Sequence, residues 1–263
     1  MDGVHSGSDQ RHPSVRGNIF FASDFHLGIP DHRTSLEREK KIVAWLRREA
    51  PNMAELWLLG DVFDFWMDYK SVVPRGFVRL LGQLAELTDS GIPVHYFPGN
   101  HDQWLRDYFS KELGVVVHQR PLCVILGSKK FFLAHGDGLG PGDYGYKMIQ
   151  WLFSRPFNRW LFRQVHPDLG ARLARFFSYS SRHYSFFEEP DTVRPEKERL
   201  FLFCQKYQTE NTPVDFFVFG HRHKPLWLPL PSGGVYVNLG DWLHHNSYGR
   251  FDGQQFFLEK YSE

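Results

Sequence analysis

The stretch 94–102 reads Val-His-Tyr-Phe-Pro-Gly-Asn-His-Asp, and its pattern decides the fold prediction. Its first four residues form a short apolar run that is typical of a buried strand. A Pro-Gly break follows and leads directly into the polar residues Asn100, His101 and Asp102. Taken alone, Gly-Asn-His-Asp could also be a type I′ or type II turn, in which Asn or Gly takes the positive φ.

Four further apolar runs show the same arrangement. They span residues 19–22, 56–59, 131–134 and 216–219, and each is followed by polar residues. Those residues are, in order, Asp24 and His26, Asp61 and Asp64, His135 and Asp137, and His221 and His223. In open α/β folds the carboxyl ends of strands form the crevice in which ligands bind, so we expect the five strand ends to converge.

Each motif has an ordinary structural interpretation when it stands alone. Asp-x-His, Gly-Asp-x-x-Asp and an isolated histidine occur often in turns, helix caps and cores. Gly-His-x-His is more informative, because it places both imidazoles on one side of an extended chain, a common spacing for metal ligands. The joint occurrence of all five motifs, each after an apolar run, predicts one metal site built from five strand ends.

The remaining patterns predict an α/β fold. Amphipathic stretches at 36–50 and 77–90 lie between the first three strands and give the order β-α-β-α-β, which is typical of an α/β sandwich. After His221, strand candidates at 227–230, 235–238 and 255–260 are separated by Pro-Ser-Gly-Gly and Asp-Gly turns. Such turns favour antiparallel pairing.

Composition limits the classes of function. The 263 residues suffice for one domain, which we place at 18–263, and residues 1–17 are predicted to be a disordered leader without a signal peptide. A net charge of +1 argues against a nucleic-acid partner bound through overall positive charge. Cys123 and Cys204 lie in apolar stretches and are predicted to be reduced core residues. No apolar run approaches the roughly 20 residues that a membrane span needs.

Residues 144–187 differ in character from the rest of the chain. Basic side chains alternate there with Trp and Phe, and breaks at Pro156 and at 167–170 favour several short helices. We predict a helical cap insertion at 144–187, between the fourth and fifth strands; the alternative is an outer packing layer. The aromatic residues recur too densely for a helix that shows one face to a core, which favours a bound ligand, membrane or partner. They include Trp151, Phe153, Phe157, Trp160 and Phe162.

With these motifs the chain resembles the calcineurin-like metallophosphoesterase superfamily. The resemblance covers residues 18 to about 242 and implies a β-sandwich flanked by helices that binds two divalent metal ions. The implied ligands are Asp24, His26, Asp61 and His223 for one ion, and Asp61, Asn100, His135 and His221 for the other. Asp61 is therefore expected to bridge the two ions.

The implied ligands suit particular metals and a particular reaction. Imidazole, carboxylate and amide groups without thiolate suit Mn²⁺, Fe²⁺ or Zn²⁺, and Mn²⁺ is the cofactor that we expect. Two ions roughly 3.5–4 Å apart lower the pKa of a shared water from 15.7 toward about 7, which supplies a hydroxide nucleophile. The resemblance further implies that His101 is no ligand but stabilises the leaving oxygen, and that Asp64 orients its imidazole.

Within the superfamily, the chain is similar to the UDP-2,3-diacylglucosamine diphosphatase family of lipid A biosynthesis, through residues 23–28, 60–66 and 135–146. This likeness implies hydrolysis of the pyrophosphate of a lipid-linked nucleotide, with an acyl-chain chamber in the insertion. The implied substrate contacts are Asn100, His101, Asp143, Tyr146 and Arg182. It also implies a cytoplasmic enzyme that associates peripherally with the inner membrane. The best-known branch has Arg in place of His101, so a phosphoesterase acting on another phosphodiester, phosphomonoester or nucleotide stays open.

Overall fold

Two six-stranded β-sheets pack face to face in the computed structural model, which describes residues 10–11, 17–142, 155–170 and 194–262. The strands are β1 (Gln10–Arg11), β2 (Asn18–Ala22), β3 (Met53–Leu59), β4 (Val94–Phe97), β5 (Val116–Val117), β6 (Leu122–Leu126), β7 (Lys129–Leu133), β8 (Phe216–Phe219), β9 (Pro225–Pro229), β10 (Val235–Leu239), β11 (Ser247–Phe251) and β12 (Phe256–Lys260). The first sheet has the order β12-β11-β2-β3-β4-β5, and the second has the order β1-β6-β7-β8-β10-β9. Strands β2 to β5 run parallel, so their carboxyl ends lie at one edge.

The side chains of each central strand alternate between two buried layers. On β2, Ile19 and Phe21 face the second sheet, whereas Phe20 and Ala22 belong to the core beneath the helices. The Phe21 ring stacks on Phe131 of β7, with 5.7 Å between ring centroids. Because both faces of this sheet are covered, its parallel strands appear in the sequence as continuous apolar runs.

Helices cover the outer faces of both sheets. They are α1 (His32–Glu49), α2 (Val78–Asp89), α3 (Tyr108–Glu112), α4 (Pro156–Phe162) and α5 (Arg199–Glu210), with 3-10 turns at Ala50–Asn52 and Pro195–Lys197. Helix α1 begins after Asp31, whose carboxylate accepts the Thr34 N–H at 3.0 Å and so caps the first turn. α1 and α2 pack on the first sheet, and α5 packs on the second. Among the described residues, no helix is both long and apolar enough to cross a membrane.

The predicted α/β fold with a helix-flanked β-sandwich is confirmed. The strands predicted at 94–97 and 216–219 coincide with β4 and β8, and the other predicted strands differ from the observed bounds by at most three residues. Antiparallel pairing is confirmed for β9 with β10, although β10 also runs parallel to β8. The strand predicted at 255–260 lies in the other sheet, where it pairs antiparallel with β11, a strand that the sequence patterns did not predict. Both cysteines are free; Cys204 is buried as predicted, but Cys123 is only partly buried.

Parts of the predicted domain organisation fall outside the described residues. Within the predicted leader, residues 10–11 form β1 beside Val124 and Ile125 of β6. Residues 1–9 and 12–16 lie outside the described residues, so disorder there stays a prediction. Of the insertion predicted at 144–187, the structure describes residues 155–170, which contain α4. The predicted substrate contacts Asp143, Tyr146 and Arg182 lie outside the described residues.

Candidate metal centre

The carboxyl ends of β2, β3, β4, β7 and β8 bring all seven predicted metal ligands to one edge of the sandwich. These ligands are Asp24, His26, Asp61, Asn100, His135, His221 and His223. Backbone hydrogen bonds tie the loops together: the Asp24 N–H donates to the Gly60 carbonyl at 3.0 Å, and the His26 N–H donates to the Asp61 carbonyl at 2.9 Å. The convergence expected from the strand pattern is therefore present.

One group of ligand atoms comes from the loops after β2 and β8. Asp24, His26 and His223 each offer an atom, and all three atoms lie within 4.8 Å of one another. The Nε2 atoms of His26 and His223 are 3.2 Å apart, and the two rings stack with an interplanar angle of 22°. The His223 Nε2 lies 3.6 Å from the nearer Asp24 carboxylate oxygen. Two imidazoles and a carboxylate at these distances can hold one divalent ion.

A second group surrounds the Asn100 amide. Its Oδ1 lies 3.3 Å from His135 Nε2 and 3.2 Å from His221 Nδ1. The other ring nitrogen of His135, Nδ1, donates to the Leu59 carbonyl at 2.7 Å. Because a carbonyl oxygen can only accept, this bond places the ring proton on Nδ1 and leaves Nε2 to bind a metal.

Asp61 lies between the two groups. Its Oδ2 is 3.7 Å from His26 Nε2 on one side and 3.3 Å from His135 Nε2 on the other. Its Oδ1 accepts the His101 N–H at 2.9 Å, which fixes the carboxylate against the loop after β4. This position is the one that a bridging carboxylate requires.

The backbone at the site is strained. Among the described residues, seven other than glycine have positive φ, and five of them are predicted ligands: Asp24, His26, Asp61, His221 and His223. Their φ values lie between 42° and 71°, in the left-handed region that side chains with a Cβ rarely adopt. Such strain persists only where the surrounding structure fixes it, and it concentrates at functional sites.

Neighbouring charges and burial shift the pKa values of the predicted ligands. Burial alone raises the pKa of the Asp61 carboxyl, but the positive charges of His135 and His101 outweigh burial and hold that pKa well below its usual value. Conversely, the carboxylates around His26 raise its pKa to about 10 against the effect of burial. Burial and the neighbouring positive charge of His135 lower the pKa of His221 to about 3. Two divalent ions can replace these protons, because metal binding needs neutral imidazoles and ionised carboxylates.

His101 and Asp64 lie beside the ligand groups. The His101 Nδ1 is 3.2 Å from the Asp64 carbonyl oxygen and 3.7 Å from its nearer carboxylate oxygen. That same carboxylate oxygen lies 3.4 Å from His26 Nδ1. Asp64 thus contacts His101 mainly through its backbone, while its carboxylate also faces a predicted ligand. A nitrogen of His101 also lies within 4.8 Å of ligand atoms of His26 and Asp61.

Comparisons with known proteins agree with this geometry. A family model described as calcineurin-like phosphoesterase matches residues 17–225. The chain belongs to this family. A UDP-2,3-diacylglucosamine hydrolase from Porphyromonas gingivalis is 38% identical over 260 residues, which cover 93% of this chain and 98% of that protein. A protein of the same name from Vibrio parahaemolyticus is 26% identical, and the match covers 91% of this chain and 96% of its own length.

A solved structure gives a more distant likeness. A dimetal phosphatase from Danio rerio aligns with a TM-score of 0.45 at 13% identity, covering 95% of this chain and 100% of that one. This similarity is too low to add to the sequence matches.

Sequence reasoning about the phosphoesterase site missed Arg38 of α1. This buried guanidinium donates to the carbonyls of Phe25, His26 and Ile29 at 3.2, 2.8 and 3.1 Å. It therefore holds the loop that carries Asp24 and His26. The signal was a charged residue on the buried face of an amphipathic helix, between apolar positions such as Ile42, but that pattern does not say which carbonyls the charge will meet.

Asp241 was missed as well. It follows β10 and is buried, and its Oδ2 lies 3.4 Å from His223 Nδ1. Its Oδ1 accepts the backbone N–H groups of His244 and His245 at 2.9 and 3.0 Å, and His245 Nδ1 at 3.0 Å. A carboxylate in this position fixes the ring orientation and tautomer of a metal-binding histidine. The Gly-Asp that follows the apolar run of β10 repeats the signal that identified Asp61.

Two glycines of the phosphoesterase motifs are required by close approach. A Cβ on Gly60, whose φ is +85°, would collide with the imidazole of His135. A Cβ on Gly99 would collide with the carboxylate of Asp61. The glycines therefore let the loops after β3 and β4 approach closely enough to place ligands around one centre.

Proposed function

We propose that this calcineurin-like phosphoesterase hydrolyses the pyrophosphate of UDP-2,3-diacylglucosamine to UMP and 2,3-diacylglucosamine 1-phosphate. The observation that carries the proposal is the near full-length match to the Porphyromonas gingivalis hydrolase, together with the convergence of all seven ligands. The ligand set supports phosphoester hydrolysis, and the relatives support the lipid-linked nucleotide as its substrate.

The chain's own residues fit two divalent ions, for which we propose Mn²⁺. Asp24, His26, Asp61 and His223 would hold one ion, and Asp61, Asn100, His135 and His221 would hold the other. When bound, the ions would polarise the phosphoryl group and bring the pKa of water to the neutral range. The Leu59 carbonyl keeps His135 in the tautomer that a metal ligand needs, and His101 lies beside the ligand groups.

His101 is proposed as the proton donor to the leaving oxygen. The Asp64 carbonyl accepts from His101 Nδ1, which leaves Nε2 as the nitrogen that acts on the substrate. The Asp64 carboxylate lies 3.7 Å from Nδ1. Asp64 therefore positions His101, and it does not touch the substrate itself.

The acyl chains are proposed to bind to the insertion at 144–187. Within its described part, Phe157 is 67% exposed and Trp160 is 55% exposed, an unusual exposure for large apolar rings. The Phe162 ring packs against Trp104 with 4.6 Å between centroids and an interplanar angle of 54°, which attaches α4 to the segment between β4 and α3. Each methylene transferred from water contributes about 0.8 kcal/mol, so a chamber of this kind supplies much of the affinity. Asn100, His101, Asp143, Tyr146 and Arg182 are the proposed contacts to the polar part of the substrate.

A substrate that lies in a bilayer suggests where the enzyme works. We propose a cytoplasmic enzyme that docks on the inner membrane through apolar and Arg side chains of the insertion. Sedimentation with vesicles is expected to increase with anionic lipid and to decrease with salt. Binding that is indifferent to both lipid charge and salt would contradict docking.

Turnover of detergent-solubilised UDP-2,3-diacylglucosamine tests the proposal directly. With Mn²⁺ present, we expect the kcat/KM for this substrate to exceed that for bis(p-nitrophenyl) phosphate by orders of magnitude, with UMP as a product. Efficient hydrolysis of simple phosphodiesters or phosphomonoesters without turnover of the lipid nucleotide would instead support a phosphoesterase of other specificity.

A further inference from the structure

A cavity of 260 Å³ opens beside the metal centre. One wall consists of His135 and Gly136, and another consists of Pro98 and Gly99, directly before the ligand Asn100. A group that occupies this cavity is therefore adjacent to the ion that His135 and Asn100 would hold, and so to a phosphoryl group bound there. The mechanism proposed above does not use this space.

The lining of the cavity is mixed, with polar side chains beside apolar ones such as Pro121, Ala134 and Leu139. The carboxamides of Gln103 and Gln119 each offer a donor and an acceptor. His118 lines the cavity, and its ring stacks on Phe97, which also lines it, at 4.9 Å and 22°. Asp137 adds a carboxylate.

The polar side chains in this lining favour a polar ligand over an acyl chain. The volume of the cavity falls below the roughly 300–1,000 Å³ of pockets that enclose a whole ligand, so the cavity fits only part of a substrate. Polar side chains left without partners against methylenes would be unfavourable. The aromatic segment that is proposed to bind the lipid packs on residues outside this cavity. Phe162 packs on Trp104, and Gly170 lies against Tyr69.

We propose that this cavity is the nucleoside subsite of the enzyme, a proposal that rests on the proposed function. The Gln103 and Gln119 carboxamides bind the imide edge of uracil, which carries an N–H donor between two carbonyl acceptors. The His118 ring, which stacks on the buried ring of Phe97, supports the planar base, as aromatic side chains do for nucleobases elsewhere. Asp137 accepts from a ribose hydroxyl, the role that acidic residues have in dinucleotide sites.

The test uses the double variant Gln103→Leu/Gln119→Leu, loaded with Mn²⁺. Two small substrates are compared: uridine 5′-(p-nitrophenyl phosphate) and bis(p-nitrophenyl) phosphate. The ratio of their kcat/KM values isolates recognition of the nucleoside, since misfolding or metal loss lowers both values together. Gln254→Leu, a substitution of the same kind at an exposed turn outside the cavity, is the matched control.

We expect the ratio to fall about tenfold or more in the double variant, because each lost hydrogen bond weakens binding about fivefold. The inhibition constant of UMP should rise to a similar extent, while that of the lipid monophosphate product stays closer to the wild-type value. An unchanged ratio would overturn the subsite, as would a larger rise for the lipid product than for UMP. If the wild type does not turn over the lipid nucleotide but the ratio still falls, the nucleoside subsite stands and the proposed lipid substrate fails.

Discussion

Replacing Asp241 by Asn is the most informative perturbation of the residues around the metal centre. Its Oδ1 accepts two backbone N–H groups, from His244 and His245, so an Asn side chain would keep its carbonyl oxygen at that position. The amide Nδ2 would then face His223 Nδ1, 3.4 Å from the present carboxylate oxygen, and two donors would oppose each other. His223 can relieve this conflict by moving its proton to Nε2, the nitrogen needed for the metal.

Loss of an outer partner of this kind lowers metal affinity or activity by about 10–100-fold, or about 1.4–2.8 kcal/mol. The affinity for Mn²⁺ can be measured by competition with a fluorescent chelator, and the bound metal by elemental analysis. In the proposed site His223 holds only one of the two ions, so we expect Asp241→Asn to bind one ion at wild-type affinity and the other 10–100-fold more weakly. Asp252→Asn is the control, because Asp252 accepts two N–H groups in the same way at a remote turn. If folded Asp241→Asn binds two ions at wild-type affinity, Asp241 does not fix His223 for metal binding.

Three further predictions concern the proton donor, the insertion and the backbone. His101→Ala should lower kcat by roughly 10²–10⁴-fold with two metals still bound, whereas loss of a metal, measured by elemental analysis, would make His101 a ligand. Trp160→Ser should raise KM for the diacylated substrate but barely change hydrolysis of bis(p-nitrophenyl) phosphate; a parallel fall of both activities and of Tm would indicate that Trp160 only stabilises the fold. Gly82 lies on the exposed face of α2, with open space where a Cβ would stand, so Gly82→Ala should raise the free energy of unfolding, measured in urea, by about 0.5–1 kcal/mol. Gly99→Ala should instead abolish activity, because its Cβ would collide with Asp61.

The parallel strands and the ligands that follow them could be predicted from the sequence, and for one physical reason. Strands buried on both faces must be continuously apolar, and polar side chains placed directly after them meet at one edge. Hence β4 and β8 were predicted with their observed bounds, and Asp61, His135 and the other ligands lie together as expected. Short strands such as β5, with two residues, carry too little pattern to be predicted.

The supporting residues could not be identified with the same ease. Arg38 lies on the buried face of α1, where periodicity shows burial but not the three carbonyls that its guanidinium meets. Asp241 carried the strand-end signal and was overlooked because its sequence matched none of the recognised motifs. The position of Asp64 between His101 and His26 is a further case: the sequence suggested one partner, and the geometry provides two.

We propose that seven side chains hold two ions with Asp61 between them. Elemental analysis of Mn²⁺-loaded wild-type protein and Asp61→Ala, with turnover measured on the same samples, tests this arrangement. We predict two ions per chain in the wild type, the loss of at least one ion in Asp61→Ala, and activity lowered to background. An Asp61→Ala protein that retains two ions and wild-type turnover would show that Asp61 does not bridge the metal centre.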